Sequence, residues 1–238
     1  MWSNGRSEAR LTVDFPVPIE LRPMRTARRF RLRFDEAAGV LKLTCPLRAS
    51  RRAALAWALD QREWIDAQIA RAPPPEPFVP GATLPVEGEE TLLEWDPSLP
   101  RSPVLLDRKL RCGGPLEGFS ARIERFLKRR ALDAMRADVE HYCALASVDL
   151  AQVTVGDAGS RWGSCSSAGR IRLSWRLILA PPHVRRFVVA HEVSHLRHLN
   201  HGREFKALEA SLFGPGLAAA KADLRRLGPR IRRIGRRL

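Results

Sequence analysis

The chain has 238 residues, of which 45% are hydrophobic and 28% are charged, so it can bury a substantial core and has the composition of an ordinary globular protein. No apolar run is long enough to cross a membrane, and the polar segment 1–10 lacks the apolar core of a secretory signal, so we expect a cytoplasmic protein. The net charge of +15 is compatible with attraction to nucleic acid, an anionic membrane or acidic substrates, and equally with a solvated basic surface.

The four cysteines are spread widely along the chain, at Cys45, Cys112, Cys143 and Cys165. No two of them form a CxxC pair, and this spacing excludes a zinc ribbon built from cysteines. In a chain without an export signal, we expect free and mostly buried thiols rather than disulfides.

The N-terminal part, residues 1–110, predicts a β-rich region with one helix. Apolar residues alternate with arginines over 29–34, and residues 40–45 supply a returning strand, which together indicate a hairpin. Ser50 is a suitable N-cap for a helix that ends before the proline-rich run 72–80. The rest of this region shows short strands broken by proline and glycine.

The second predicted domain, residues 111–238, contains long helices and short strands. In chain order the pattern predicts a helix over 116–146, strands over 152–155, 161–165 and 171–178, a helix from the prolines at 181 and 182 to about residue 200, and a last helix over 203–227 with a possible break at 214–216. No internal repeat is present.

The end of the chain is strongly basic. Residues 225–238 contain seven arginines and no acidic residue. Such a tail can contact phosphates, or its charge can keep a frayed terminus solvated. Nucleic acid therefore stays a candidate partner, through the basic surface and this tail.

The strongest functional signal is the segment HEVSH, residues 191–195. Residues four apart lie on one face of a helix, so His191 and His195 can bind one zinc ion at about 2.0–2.1 Å. Glu192 lies about 100° round the helix, where its carboxylate reaches the metal-bound water rather than the metal. The preceding residues 187–190 are apolar and indicate a buried helix, in which these polar groups would be costly without a metal.

A catalytic zinc needs a third protein ligand and one open position. We favour His201, because a turn beyond the end of the helix can bring its ring back toward the metal. Glu204 and Glu209 are the rival ligands. His198 lies on the same helical face as His191 but about 10.5 Å further along the axis, so we expect it at the surface or behind the ligands.

Three blocks of the sequence are similar to the YgjP-like metallopeptidase family, which is related to the SprT-like and WLM zinc peptidases. They are residues 161–167 (RWGSCSS), 174–177 (SWRL) and 191–201 (HEVSHLRHLNH). The resemblance implies a zincin-like catalytic domain with His191, His195 and His201 as zinc ligands and Glu192 as the base. A Cys-based zinc module, common in SprT-like relatives, is absent, so their role in crosslink repair does not carry over.

Two positions depart from the family's pattern and bear on the cleft. Ser174 stands where the family usually has Asn, and Lys206 stands where an aromatic residue commonly follows Phe205. The predicted fold is α+β: a zincin-like domain over residues 111–238, with its HExxH helix packed on a small antiparallel sheet, preceded by the β-rich region 1–110.

The predicted function is zinc-dependent hydrolysis of peptide bonds in a peptide or unfolded protein. Zinc lowers the pKa of its bound water to about 7, and Glu192 accepts the proton. Arg161 and Ser174 are candidate substrate-binding residues, although Arg161 fits a structural ion pair equally well. The strand 171–178 is a candidate partner for an extended peptide.

Three further residues of the family-like blocks are expected to serve packing. Trp162 and Trp175 suit the protein interior better than a substrate platform, and Cys165 is expected to be a buried structural thiol. Two alternative functions stay open: a basic nucleic-acid-binding protein whose zinc is structural, and a zinc hydrolase of non-peptide amides. The oligomeric state is not indicated by the sequence.

Overall fold

The computed structural model describes residues 15–36, 38–157, 159 and 161–236. The chain divides into two compact units, Met1–Ala72 and Pro73–Leu238. The boundary expected between residues 110 and 111 differs from this division. Leu84, Leu93 and Leu110, which precede that boundary, are buried in the same core as the helices that follow it. Sequence patterns show where strands lie but not which core they join.

The first unit is a three-stranded sheet with two short helices. Its elements are β1 (Ile19–Met24), β2 (Arg31–Asp35), β3 (Val40–Pro46), α1 (Arg51–Leu59) and α2 (Arg62–Arg71). Strands β2 and β3 form the antiparallel hairpin that the sequence predicts, and β1 pairs with β3 in parallel, so β3 is central. Leu43 and Cys45 of β3 are buried with Ala54 and Ala58 of α1.

The single helix predicted for this unit is two helices. The Oγ of Ser50 accepts a hydrogen bond from the amide of Ala53 at 3.1 Å, so α1 begins at its predicted cap. The amide of Gln61 then bonds to the carbonyl of Ala58 at 3.1 Å, which closes α1 with a tight i→i−3 turn. Gln61 has φ −95° and ψ 17°, outside the helical range, and α2 starts after it.

The second unit contains two sheets and four long helices. In chain order its elements are β4 (Thr83–Val86), β5 (Glu89–Trp95), β6 (Val104–Leu106), β7 (Lys109–Cys112), α3 (Phe119–Ala146), β8 (Gln152–Gly156), β9 (Gly163–Cys165), β10 (Arg170–Ser174), α4 (Pro182–Ser194), α5 (Arg203–Phe213) and α6 (Leu217–Arg233), with short 3-10 helices at Leu116–Gly118 and Trp175–Leu179. The sheets have the strand orders β4-β5-β7-β6 and β8-β10-β9.

Helix α3 runs through the core of this unit. Its fully buried residues Ile123, Leu127, Met135 and Val139 recur at helical spacing and so form one apolar face. The helix ends at Ser147, which adopts a left-handed conformation with φ 51°. These residues share one continuous core with α4 and with β10.

The predicted antiparallel sheet is mixed, which corrects the sequence interpretation. Strand β10 pairs with β8 in parallel and with β9 in antiparallel orientation. The predicted strand 171–178 also ends early, at Ser174, and the buried residues Trp175–Leu179 form a 3-10 helix. A short apolar run does not distinguish a buried strand from a buried helix, because both faces are apolar in either case.

The helices after β10 also differ from the prediction at their ends. Helix α4 stops at Ser194, before the expected end near residue 200, with His195 as its C-cap. The predicted last helix is interrupted at the glycines and proline of 214–216, as anticipated, where Gly214 has φ 82°. Helix α6 then continues to Arg233, beyond the predicted end. Among the helices described, none is both long and apolar enough to cross a bilayer.

Candidate metal centre

Three imidazole rings meet where α4 ends and α5 begins. The ring nitrogens of His191, His195 and His201 all lie within 4.8 Å of one another, and no fourth Cys, His, Asp or Glu joins this group among the described residues. The Nε2 atoms of His191 and His201 are 3.2 Å apart. Two nitrogen ligands of one tetrahedral zinc at 2.0–2.1 Å are about 3.3 Å apart. This histidine cluster therefore has the donor chemistry and spacing of a zinc site.

The early end of α4 brings His201 to the other two rings. The amide of Leu196 donates a hydrogen bond to the carbonyl of Val193 at 2.9 Å, and the amide of His198 donates one to the carbonyl of Ser194 at 3.0 Å. These bonds form a tight turn directly after Ser194, so the chain leaves the helix there. His195 keeps helical angles, φ −69° and ψ −18°, and so stays on the same face as the histidine one turn earlier.

Phe205 forms an apolar wall against all three rings, and the sequence interpretation did not assign it a role. It is 1% exposed, and its ring centroid lies 5.0 Å from that of His191, 4.6 Å from His195 and 4.7 Å from His201. Such close packing limits the rotation of each imidazole. The sequence signal that could have found it is its position in the first turn of α5, four residues after the predicted ligand His201.

Glu209 orients His191 and is not a member of the cluster. Its Oε1 accepts a hydrogen bond from Nδ1 of His191 at 2.7 Å, and its Oε2 accepts one from Nζ of Lys221 at 2.7 Å. Burial acts to raise the pKa of Glu209, but the hydrogen bonds from Lys221 and His191 outweigh it and lower the pKa below its usual value. The charged carboxylate holds the proton of His191 on Nδ1 and leaves Nε2 free to bind a metal.

His195 is oriented in the same way by a backbone group. Its Nδ1 donates to the carbonyl of His198 at 3.1 Å. Burial is the main cause that lowers the pKa of His195 below its usual value, which favours the neutral, metal-binding form of the ring. The rival ligand Glu204 has a side chain that is 84% exposed and lies 3.5 Å from the ring of His198, so both residues are outside the cluster.

Glu192 lies beside the cluster with its carboxylate against strand β9. The residue is 5% exposed, and a Cβ built on Gly163 would be only 2.5 Å from its Oε1. Burial raises the pKa of Glu192 to about 7, against the opposing charge of Arg161. Within the described part of the chain the carboxylate has no hydrogen-bond partner. Gly163 is thus required for the close approach of strand and helix, a role that the sequence interpretation missed.

The two candidate substrate-binding residues have different environments. Arg161 is exposed and close enough to Glu192 to act on its carboxylate. Ser174 is 3% exposed, and its Oγ is buried without a hydrogen-bond partner. Arg161, Gly163 and Ser174 nevertheless line the same small cavity, so substrate binding by Arg161 and Ser174 stays a prediction.

The two tryptophans that were expected to serve packing do pack in the protein core or against it. Trp175 is fully buried, and Trp162 packs against Gly228 and lies under the guanidinium group of Arg232, 4.0 Å from its ring centroid. Cys165 corrects the expectation of a buried thiol, because it is only half-buried. Burial, together with the nearby charge of Glu192, raises the pKa of the Cys165 thiol.

The arginines of the predicted basic tail are largely occupied within the molecule, which corrects the view of a free terminus. The tail continues helix α6, and Ile231 and Ile234 are buried in the core. Five of its arginines have partners: Arg226 with Asp223, Arg230 with Glu76 and Glu90, Arg232 with the carbonyl of Gly159, Arg233 with that of Pro73, and Arg236 with Asp157. These groups do not form a free phosphate-binding surface.

The strand proposed to pair with a peptide is also unsuitable. The order β8-β10-β9 places β10 in the centre, so both of its edges already have partners. Strand β9 is at the edge and contains Gly163. Which strand lies at the edge is a long-range property that the sequence pattern did not show.

Comparison with known proteins identifies one family. The model of the family described as YgjP-like, metallopeptidase domain, matches residues 28–227. No curated protein and no solved structure matches the chain. The match covers the larger part of both compact units and includes every residue of the histidine cluster.

Proposed function

Because the chain belongs to the YgjP-like metallopeptidase family, we propose that it is a zinc-dependent peptidase. In this proposal His191, His195 and His201 hold the metal, and Glu192 is the general base. The observation that supports it best is the meeting of three imidazole nitrogens within 4.8 Å, next in sequence to a buried carboxylate that has no hydrogen-bond partner among the described residues.

The residues present fit zinc better than the oxygen-seeking cations. All three donors are imidazoles, and two of them have Nδ1 engaged so that Nε2 is the free donor. When bound, zinc supplies a Lewis acid that polarises a carbonyl and makes water more acidic. Three ligands, with no fourth among the residues that the structure describes, indicate a catalytic site rather than a closed structural one. This distinction favours the hydrolase over the alternative of a nucleic-acid-binding protein with structural zinc.

Glu192 is suited to proton transfer at neutral pH. In the metal-free chain burial raises the pKa of Glu192 to about 7, and the positive charge of a bound zinc ion would favour the ionised carboxylate, which can accept a proton from the attacking water and return it to the leaving amine. Burial at 5% exposure keeps the carboxylate from being screened by bulk water. The positive charge of Arg161 acts to lower the pKa of Glu192 and so partly offsets the rise caused by burial.

The free edge of β9 is suited to an extended peptide. The amide of Ser174 bonds to the carbonyl of Trp162, and that of Ser166 bonds to the carbonyl of Arg170, so these residues of the β9 segment face β10. Backbone direction alternates along a strand, so the N–H and C=O groups of Gly163 and Cys165 point away from the sheet. A peptide paired with Gly163 would lie beside Glu192. This geometry favours a peptide over a small non-peptide amide.

The proposal is tested by Glu192→Gln in the full-length chain loaded with zinc. We expect the variant to keep its zinc and to hydrolyse unfolded casein about 10²- to 10⁴-fold more slowly, because it lacks the base. Glu204→Gln is the matched control, since Glu204 is exposed and outside the cluster. Full activity in Glu192→Gln would contradict the role of the base, and hydrolysis of small amides without hydrolysis of casein would contradict the substrate class.

A further inference from the structure

Two turns of the first unit lie side by side at one end of its sheet. The amide of Ala27 bonds to the carbonyl of Met24 at 3.2 Å, and the amide of Ala49 bonds to the carbonyl of Pro46 at 3.0 Å. Met24 and Pro46 are direct neighbours in the parallel pairing of β1 with β3. The segments 25–31 and 47–52, here called the arginine turns, therefore start from adjacent positions.

The arginine turns gather seven exposed guanidinium groups. These belong to Arg25, Arg28, Arg29, Arg31, Arg48, Arg51 and Arg52. Within the described chain, none of the seven forms an ion pair. The six acidic residues of residues 15–72, which are Glu20, Asp35, Glu36, Asp60, Glu63 and Asp66, all lie outside both segments. The positive charges at this end are thus separated from the described acidic residues of the unit, whereas arginines of α6 pair with nearby acidic residues.

We propose that the arginine turns form a binding surface for the phosphate backbone of duplex nucleic acid. Arginine binds phosphate through paired N–H groups, and seven such groups suit a partner with many phosphates rather than one small anion. The first turn of α1, capped by Ser50, directs further backbone N–H groups to the same end. The polyanion-binding surface therefore lies in the first unit and not in the C-terminal helix.

The surroundings favour a duplex over two other polyanions. Single-stranded nucleic acid is usually held by bases stacked on exposed aromatic rings, but Phe30, the aromatic residue of these segments, packs against Trp57 with centroids 5.5 Å apart. Stable attachment to a membrane usually combines basic residues with a second, apolar contribution, and among the described residues this end exposes only Met24 and Leu47 as large apolar side chains. Recognition through the backbone alone predicts binding that is independent of base sequence.

The test measures binding of the full-length chain to fluorescent duplex DNA and duplex RNA of one arbitrary sequence, over a series of salt concentrations. One variant replaces Arg25, Arg28 and Arg29 with Gln, and a second replaces Arg48, Arg51 and Arg52. The control variant replaces Arg125, Arg136 and Arg225, which are exposed residues of the second unit. All three variants remove the same charge, and thermal unfolding checks that each is folded.

We expect each arginine-turn variant to bind the duplex at least about tenfold more weakly at 0.1 M salt. Each lost phosphate contact reduces by about 0.9 the salt slope, which is the steepness with which the logarithm of the binding constant falls with the logarithm of the salt concentration. The slope should fall by about 2 to 3, and the control should change by less than 1. Equal losses in all three variants would overturn the proposal, as would absence of duplex binding by the unmodified chain. Preference for phosphatidylserine vesicles or for the single strand would also overturn it.

Discussion

The histidine cluster and the arginine turns both bring together nitrogen-bearing side chains from two segments of the chain, but the surroundings of these side chains are opposite. In the cluster, Glu209 and a backbone carbonyl fix the two helical rings, and Phe205 packs against all of them. In the turns, seven exposed guanidinium groups have no acidic partner among the described residues. The imidazole rings of the cluster are held in one orientation by their partners, which suits the binding of one small ligand. The exposed guanidinium groups of the arginine turns suit an extended partner, to which each group contributes its own share of the binding free energy.

The largest effect should come from a change that disturbs the approach of β9 to the cluster. Gly163→Ala places a methyl group within 2.5 Å of Glu192, so the carboxylate must move. A displacement of about 1 Å at a catalytic group can reduce turnover about 100-fold. We therefore expect casein hydrolysis to fall by about that factor while zinc content, measured by atomic emission, stays at the unmodified level. Unchanged hydrolysis would show that the contact does not position Glu192.

A smaller effect is expected from the residue behind His191. Glu209→Gln keeps the shape of the side chain but removes the charge that holds the proton on Nδ1 of His191. Loss of such an outer partner lowers metal affinity about 10- to 100-fold, which competition with a zinc chelator measures. Duplex binding by the arginine turns should be unaffected, and a parallel loss of both properties would break the distinction between the two regions.

The smallest effect concerns the stability of the zinc-free chain. The pKa of Glu192 is about 7 when the chain is folded, against an ordinary value of 4.5, so the folded chain binds the proton more tightly and loses stability as pH rises through this range. Glu192→Gln cannot ionise, so above pH 7 it should be more stable by about 1 to 3 kcal/mol. Below about pH 4.5 the difference should vanish. Chelator-treated samples unfolded by urea at both pH values provide the measurement, and a constant difference would argue against the raised pKa.

The sequence allowed the local parts of this account to be predicted. The spacing of His191 and His195 depends on a single helical turn, and the hairpin β2–β3 depends on neighbouring residues, so both patterns are visible in the chain itself. The α+β class and the family were also accessible, because short motifs and alternating elements indicate them.

The parts that depend on distant contacts were not predictable. The central position of β10, the burial of Ser174 and the partners of Arg230 involve residues far away in the chain. The tail illustrates the point best. Its composition was compatible with a phosphate-binding or a frayed terminus, yet Arg230 pairs with Glu76 and Arg236 pairs with Asp157. Among the described residues, the arginines of the equally basic segments 25–31 and 47–52 have no acidic partner. Composition reports charge but not whether the charge is already paired.

The most direct test of the central claim is zinc-edge X-ray absorption of the purified full-length chain. The account predicts one four-coordinate zinc with three imidazole ligands at about 2.0–2.1 Å and no sulfur. A sulfur ligand at about 2.3 Å, a fourth protein ligand, or a chain that binds no zinc would contradict it.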